Sequence, residues 1–385
     1  MRSTLETLLG GKADIWVILI YRNLRHDRTR FFTAIFGVAF AALLIAFEGG
    51  LLVGFTHAAS RTVDAIDADI WIARKGTKSF DLGFGVERRV KYLVRGDTRI
   101  QSAGEVVVGW APYIGPNGEP SSVQIVGIGK ELDHSIGHKN GIAGRAGRDM
   151  FYTDKTYVQS LGLSAGSRVE IAGYQLFAGP ALDGYASFMG TPFVLSDQFT
   201  VQRILNYPAD LTSFVALKLS RGASLPDTIK SLQNRFPELD VLSTTEFSWR
   251  SRMYWLLQTG AGGALILCAL LGFAVGLAIV SQTIYAITMD RLDEYATLKA
   301  IGAPQTVIQK MIFLQAIICT CIGSLIGLIA VHGVVALATL AVGWCEQPLW
   351  MALAVVVTLM PMSLLAANVA AKPALRIEPA KAFRA

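Results

Sequence analysis

Charge is scarce in this 385-residue chain: only 17% of its residues are Asp, Glu, Lys or Arg, against 52% that are hydrophobic. Soluble domains usually approach a quarter charged, so the whole chain is not an ordinary water-soluble protein. Cysteine is scarcer still. The four present, Cys268, Cys319, Cys321 and Cys345, lie in or beside long apolar runs, which excludes a disulfide framework or a CxxC metal site from the rest of the sequence. No GxxxxGK[ST] loop occurs, so a Walker-type ATP site is excluded, and no HExxH occurs either. The apolar runs lack a Ser/Lys, paired-Asp or His-rich set at helical spacing, which argues against a membrane enzyme. No catalytic residue, metal or cofactor of the chain's own is therefore expected. The net charge of +6 is not one long patch, because the basic residues cluster beside the apolar runs. That arrangement reads as a set of topology signals and speaks against nucleic acid as a partner.

What is present is unevenly distributed. Residues from about Arg61 to Arg252 read as a mixed globular sequence, while the flanks hold apolar runs long enough to span a bilayer, which takes about 20 residues. Four spans are expected, roughly Phe31 to Phe55, Ala261 to Met289, Val307 to Leu340 and Leu349 to Ala370. The third is longer than one crossing and predicts a surface helix at its start or a strong tilt. A charged segment precedes the first run and no small-residue cleavage site follows it, so a retained span and not a cleaved signal is expected.

Arg22, Arg25, Arg28 and Arg30 flank the first run. Arg291 and Lys299 lie in the second-to-third loop, and Lys372, Arg376, Lys381 and Arg384 in the tail. The connection Trp344–Pro348 carries no Lys or Arg. Positive-inside reasoning places both termini in the cytosol and residues 56–255 outside.

The fold class expected is therefore membrane α-helical, with four transmembrane helices and a large α+β extracytosolic domain inserted between helices 1 and 2. Extended runs support the sheet: Asp69–Ala73, Val106–Val108, Val123–Val126, Pro192–Leu195 and Phe214–Lys218. Between Ser196 and Asp240 the pattern predicts helix (197–205), strand (213–219), helix (226–236) and strand (240–242), with Gly222 and Pro226 as punctuation. The Gly-rich stretch 119–191 reads as a separate inserted subdomain. From Thr245 a helix is expected to run unbroken to the Gly260–Gly263 cluster, joining the outer domain stiffly to the second span.

Several residues invite a functional reading. Asp133, His134 and His138 resemble a metal cluster, yet the surrounding glycines and the shortage of converging ligands favour a solvated loop. Glu48 is an intramembrane carboxylate, but it lies ~26 Å along the first helix, near the outer interface where water reaches it. His332 lies similarly near an outer end. Gly272/Gly276 and Gly323/Gly327 are small-xxx-small pairs, suited either to a dimer interface or to packing within one chain. Segment 13–26, with Trp16, Arg22 and Arg25, can form an amphipathic helix on the inner membrane surface, as a topology anchor or as a docking element.

The most specific stretch is Asp293-Glu294-Tyr295-Ala296-Thr297-Leu298-Lys299-Ala300-Ile301-Gly302-Ala303. It resembles the E-x-x-x-L-K/R-A-x-G cytosolic loop of FtsX/MacB-type permeases, the mechanotransmission or type VII group of ABC transporters, and looks particularly like the DevC branch. Residues Phe188–Phe199 also look like a DevC segment. The tail from Arg376 to Arg384 is similar to the family's R-x-x-P-x-x-A-x-R ending. The family's fused ATPase, present in MacB itself, does not occur in this sequence.

The resemblance implies a homodimeric permease of the bacterial inner membrane, served by a separate cytosolic ABC ATPase that binds the ATP. Its periplasmic domain would have porter-like parts at about 61–118 and 192–245. Its partners would be a membrane-fusion adaptor, a TolC-type outer-membrane channel and membrane lipid. On this reading residues 1–30 precede the first span (31–55), 256–370 hold spans 2 to 4 with a coupling loop at 290–305, and 371–385 form a cytosolic tail. Glu294, Tyr295, Leu298, Lys299 and Gly302 would carry ATPase coupling, with Glu294 and Lys299 exposed and Leu298 and Ile301 packing. Trp16, Arg22 and Arg25 would be secondary contacts. An FtsX-like signalling subunit and a lipoprotein- or lipid-extracting permease are the alternatives of the same architecture.

Overall fold

The computed structural model describes residues 28–83, 85–114, 120–132, 149–160 and 163–376. Trp16, Arg22, Arg25, Asp133, His134, His138 and the tail beyond Arg376 lie outside the described residues. Helix α1 (Arg28–Ala65) opens the described chain and is followed by β1 (Ile70–Arg74), β2 (Val86–Glu87), α2 (Arg89–Val94), β3 (Ile100–Ile114) and β4 (Pro120–Ile128). Next come β5 (Met150–Thr153), α3 (Lys155–Ser160), β6 (Arg168–Ile171), β7 (Tyr174–Ala178), β8 (Phe193–Asp197) and α4 (Gln198–Ile204). The sheet domain ends with β9 (Leu211–Thr212), β10 (Phe214–Leu219), α5 (Leu225–Arg235), β11 (Leu239–Ser243) and α6 (Thr244–Leu257). The remaining helices are α7 (Gly260–Asp290), α8 (Leu292–Ala300), α9 (Gln305–Val342) and α10 (Leu349–Arg376). By contacts the chain divides into two units, 1–50 with 267–336 and 347–385, and 51–266 with 337–346.

Among the described residues, four helices are long and apolar enough to cross a membrane: Phe31–Ala65, Gly260–Asp290, Gln305–Leu340 and Leu349–Arg376. Both small-xxx-small pairs face α1. A Cβ added to Gly327 would come within 2.4 Å of the Ala39 carbonyl oxygen, and one added to Gly323 within 2.7 Å of the Val38 Cβ. Added to Gly272 or Gly276, it would meet Glu48 Cγ or Ile45 Cδ1 at 3.0 Å. Glycine lets the backbones of α7 and α9 approach α1 closely, which is how helices gain packing where lipid is as apolar as leucine. These pairs therefore pack within one chain. Glu48 is half-buried against Gly272.

In the second unit one nine-stranded sheet runs β11-β1-β10-β3-β4-β8-β5-β7-β6, and β6 returns to β3 through Tyr113 and Ile171. The far strands thus close into a ring around Val107, Ala111, Val123, Ile125, Phe151, Leu176 and Val194, capped by Val201 and Ile204 of α4. The other half carries α2 and α5 on one face, over Ile70, Ile72, Val215 and Leu217. Its opposite face buries Trp71, Val106, Phe214 and Phe247. Helix starts follow local chemistry. Asp197 accepts from the N–H groups of Phe199 and Thr200, Ser224 accepts from Asp227, and Ser243 with Glu246 forms the Ser-x-x-Glu cap of α6. Between the sheet and α2, Glu105 is fully buried and accepts from Arg88 Nε at 2.8 Å, Lys91 Nζ at 3.1 Å and Gln198 Nε2.

Three expectations change. The stretch 119–191 is not set apart, because β4 pairs with β3 over Val106–Ile114 and β8 runs parallel to β4, so its strands continue one sheet. Helix does not run unbroken from 245 to 260: α6 ends at Leu257 and α7 begins at Gly260. The first helix continues to Ala65, ten residues past the apolar run that ends at Phe55. Those extra turns are held by polar partners that hydropathy does not count. Arg252 bonds Asp64 at 2.8 Å and Ser60 at 2.7 Å, and Ser248 bonds Asp64 at 2.5 Å.

Two substitutions test this packing. Gly327→Ala should lower the melting temperature in detergent by several degrees, the scale of ~1–3 kcal/mol of overpacking, because its neighbour is backbone. Gly276→Ala, which meets only the tip of Ile45, should cost far less. Glu105→Leu should destabilise the sheet domain by about 3–5 kcal/mol, read as a large fall in its thermal transition, because buried Lys91 would keep only Glu131, at 3.1 Å, while Arg88 and Gln198 would lose their shared acceptor.

Candidate functional site

The short helix α8 follows α7 after the single residue Arg291. Asp293 and Glu294 occupy its first turn and Lys299 its last, each charge complementing the helix dipole. Three features fix it in place. Tyr295 is buried at 2% exposure, and burial pushes its phenol up to about 12. Lys299 Nζ donates to the Leu375 carbonyl at 3.0 Å, meeting the negative C-terminal end of α10. Gly302, at φ +95°, ends the helix: its N–H bonds Lys299 O at 3.1 Å, and that of Ala303 bonds Leu298 O at 3.0 Å. This is the Schellman pattern, and the left-handed residue it requires explains the glycine.

What faces outward is one stripe. Asp293, Glu294, Thr297, Ala300 and Ile301 are exposed, with Ile301 at 76%. Leu298 and Lys299 are half-buried. The expected pattern is therefore partly reversed, since Lys299 is drawn inward to α10 while Ile301, expected to pack, stands out. The reason is periodicity: Ile301 falls seven residues after Glu294 and four after Thr297, on the same face. Tyr295 and Gly302 shape the helix from behind, leaving Glu294 as the member of the expected set on the open face.

The sequence also gave no warning about Arg291, treated there only as a topology signal. It is 7% exposed and its charge acts on the Tyr295 phenol. Among the described residues no group of three or more His, Cys, Asp or Glu side chains is placed to hold a metal ion. The four cysteines are unpaired thiols, with Cys319 and Cys345 buried. His332 is exposed, and its Nδ1 lies 2.6 Å from the carbonyl of Leu328, one turn back on its own helix.

A second feature of the membrane unit is the bareness of α7. Only 17% of its most apolar window is buried within the chain, against 33–44% for the other three spans. Gln282 is exposed on it and lines two open grooves: one of about 460 Å³ shared with α10 and one of about 540 Å³ shared with α1.

Residues 264–379 match the FtsX-like permease C-terminal family. No curated protein sequence matches the chain. Among solved structures it is similar to the periplasmic region of MacB from Actinobacillus actinomycetemcomitans, at 9% identity and a TM-score of 0.36, covering 48% of this chain and 92% of that one. It is also similar to the extracellular domain of the noncanonic ABC-type transporter YknZ from Gram-positive bacteria, at 10% and 0.33, covering 46% and 98%. A permease-protein domain from Porphyromonas gingivalis is similar at 15% and 0.30, covering 46% and 89%. Four spans with a sheet domain inserted after the first of them make the chain a multi-pass membrane protein, and the segment holding its last three spans is the one that matches the FtsX-like permease C-terminal family.

Proposed function

We propose that this chain is the permease subunit of an ABC-type transporter, coupling ATP hydrolysis by a separate cytosolic ATPase to conformational change in the sheet domain. The observation that carries this reading is the exposed stripe on α8. An isoleucine left 76% exposed beside two carboxylates, on a helix pinned by Tyr295, Lys299 and Gly302, suits a groove on a partner protein. Because α8 is anchored to the end of α10 and follows α7 after one residue, a push on the stripe is delivered to two spans and is not absorbed by a slack loop. On this reading both termini are cytosolic, the sheet domain is periplasmic, and export proceeds through an adaptor and an outer-membrane channel. The subtype that fits the α8 sequence best is the DevC branch.

We further infer a homodimer with α7 at its seam. A glutamine facing lipid lacks partners for its amide, whereas a second copy supplies them. Leu267, Leu270, Leu271 and Phe273 of α7 are also exposed.

The coupling reading is tested by ATPase turnover of the reconstituted complex in nanodiscs. Glu294→Ala and Ile301→Asp should lower permease-dependent hydrolysis about tenfold or more, a loss of ~1.4 kcal/mol or more. The permease's own melting temperature should not move. Tyr295→Phe, which keeps the buried ring, should hydrolyse nearly as wild type does. Normal hydrolysis by Ile301→Asp with assembly intact would remove the reading's main support. For the seam, Gln282→Leu should weaken self-association about threefold, the ratio corresponding to ~0.6 kcal/mol for one interhelical hydrogen bond in lipid, and Gln282→Arg should abolish it. Native mass spectrometry across a dilution series reads both.

A further inference from the structure

The connection between α9 and α10 is gripped more firmly than a six-residue turn requires. It starts at Gly343, whose φ is +72° and whose N–H closes the last turn of α9 onto Thr339 O at 2.9 Å. Trp344 then passes so close to α1 that a Cβ on Gly54 would sit 1.9 Å from its carbonyl oxygen. Its ring meets Phe55 edge-on, with centroids 5.9 Å apart, and Phe55 in turn meets Phe188 at 5.2 Å. On the far side Gly343 abuts Ala186 and Thr156. The segment is therefore threaded between one turn of α1 and the loop that precedes β8.

Its side-chain polar hold is the Glu346 carboxylate. Glu346 Oε1 accepts from Arg61 Nη2 at 2.6 Å, and Oε2 lies 2.7 Å from His57 Nδ1. Both partners lie on α1, four residues apart on one face. The other arm of the guanidinium is not satisfied. Arg61 Nη1 is buried with no hydrogen-bond partner among the described residues. Arg61 lines a small cavity of about 20 Å³ together with Asp81, Gln124 and Ser187. Asp81 is already occupied: it accepts from Gln124 and from Trp255 Nε1 at 2.9 Å, and burial pushes its carboxyl up. The pair stays within reach of water, with the Arg61 and Glu346 side chains 21% and 33% exposed, so solvent can take over these hydrogen bonds when the pair opens.

We propose that Gly343–Glu346 is a releasable strap, latched onto α1 by the pairing of Glu346 with Arg61 and His57, and that breaking this pair frees the connection between the third and fourth spans. Cys345 reports the state of the latch. It is part of the strap and is buried at 4% exposure, and burial raises its thiol above the ordinary range, so it is shielded while the strap is down. That such a release belongs to a transport cycle rests on the permease reading. The latch itself does not.

The test is maleimide labelling of Cys345 in the full chain in nanodiscs, without any ATPase, after replacing Cys268, Cys319 and Cys321 by alanine. With the native latch, labelling should be slow. Arg61→Gln and Glu346→Gln should each speed it several-fold, and the exchanged pair Arg61→Glu with Glu346→Arg should return it towards the native rate. Should Arg61→Gln fail to fold, Glu346→Gln, which keeps the side chain's size, carries the comparison with the exchanged pair. Labelling of Glu346→Gln as slow as the native rate would overturn the latch, and so would an exchanged pair that labels as fast as the single variants. Because no ATPase is present, these outcomes are independent of whether α8 couples to one.

Discussion

Close backbone approach to α1 is the constraint on which the membrane unit depends. Two other spans press glycine faces against it, α7 through Gly272 and Gly276 and α9 through Gly323 and Gly327, with gaps too narrow for a methyl group at Gly323 and Gly327. Without a hydrophobic drive between helices in lipid, these contacts and the dispersion they allow are what make α1 the hub of the bundle. The same device recurs at Gly54 in the other unit, where glycine admits the passing carbonyl of Trp344.

In the sheet domain the corresponding constraint is electrostatic. Glu105 is buried on the strand that belongs to both halves of the sheet, and it collects donors from β2's flank, from α2 and from α4. A carboxylate in that position is tolerated only because each lone pair is used. The sheet closes on itself at the far end, through Tyr113 and Ile171, so β6 does not remain an open edge beside β3.

Helix α8 divides its residues between holding and presenting. Tyr295, Lys299 and Gly302 face the protein or shape the turn, and each does so by a different means: burial, capping of a helix end, and a left-handed backbone. Asp293, Glu294, Thr297 and Ile301 face away. A short helix is a poor lever unless it is immobilised, so residues that never touch a partner are as necessary to a coupling role as those that do.

The sequence by itself determined the four spans and the presence of an α+β domain after the first, while the loop between the second and third was marked out by a resemblance. The spans and the domain follow from local quantities: apolar run length, strand alternation, and the Ser, Asp, Gly and Pro that start and stop helices. Only the tertiary structure decided which glycine pair packs against which helix, that residues 119–191 continue the main sheet, and that α1 outlasts its apolar run. It also decided that Ile301 stands out while Lys299 turns in, and that Glu346 finds Arg61 across 285 residues of chain. Each of these depends on a partner distant in sequence, such as the α10 terminus for Lys299 or Arg252 for Asp64. No local pattern encodes such a partner, because the hydrogen bond that settles the matter exists only after the elements have met.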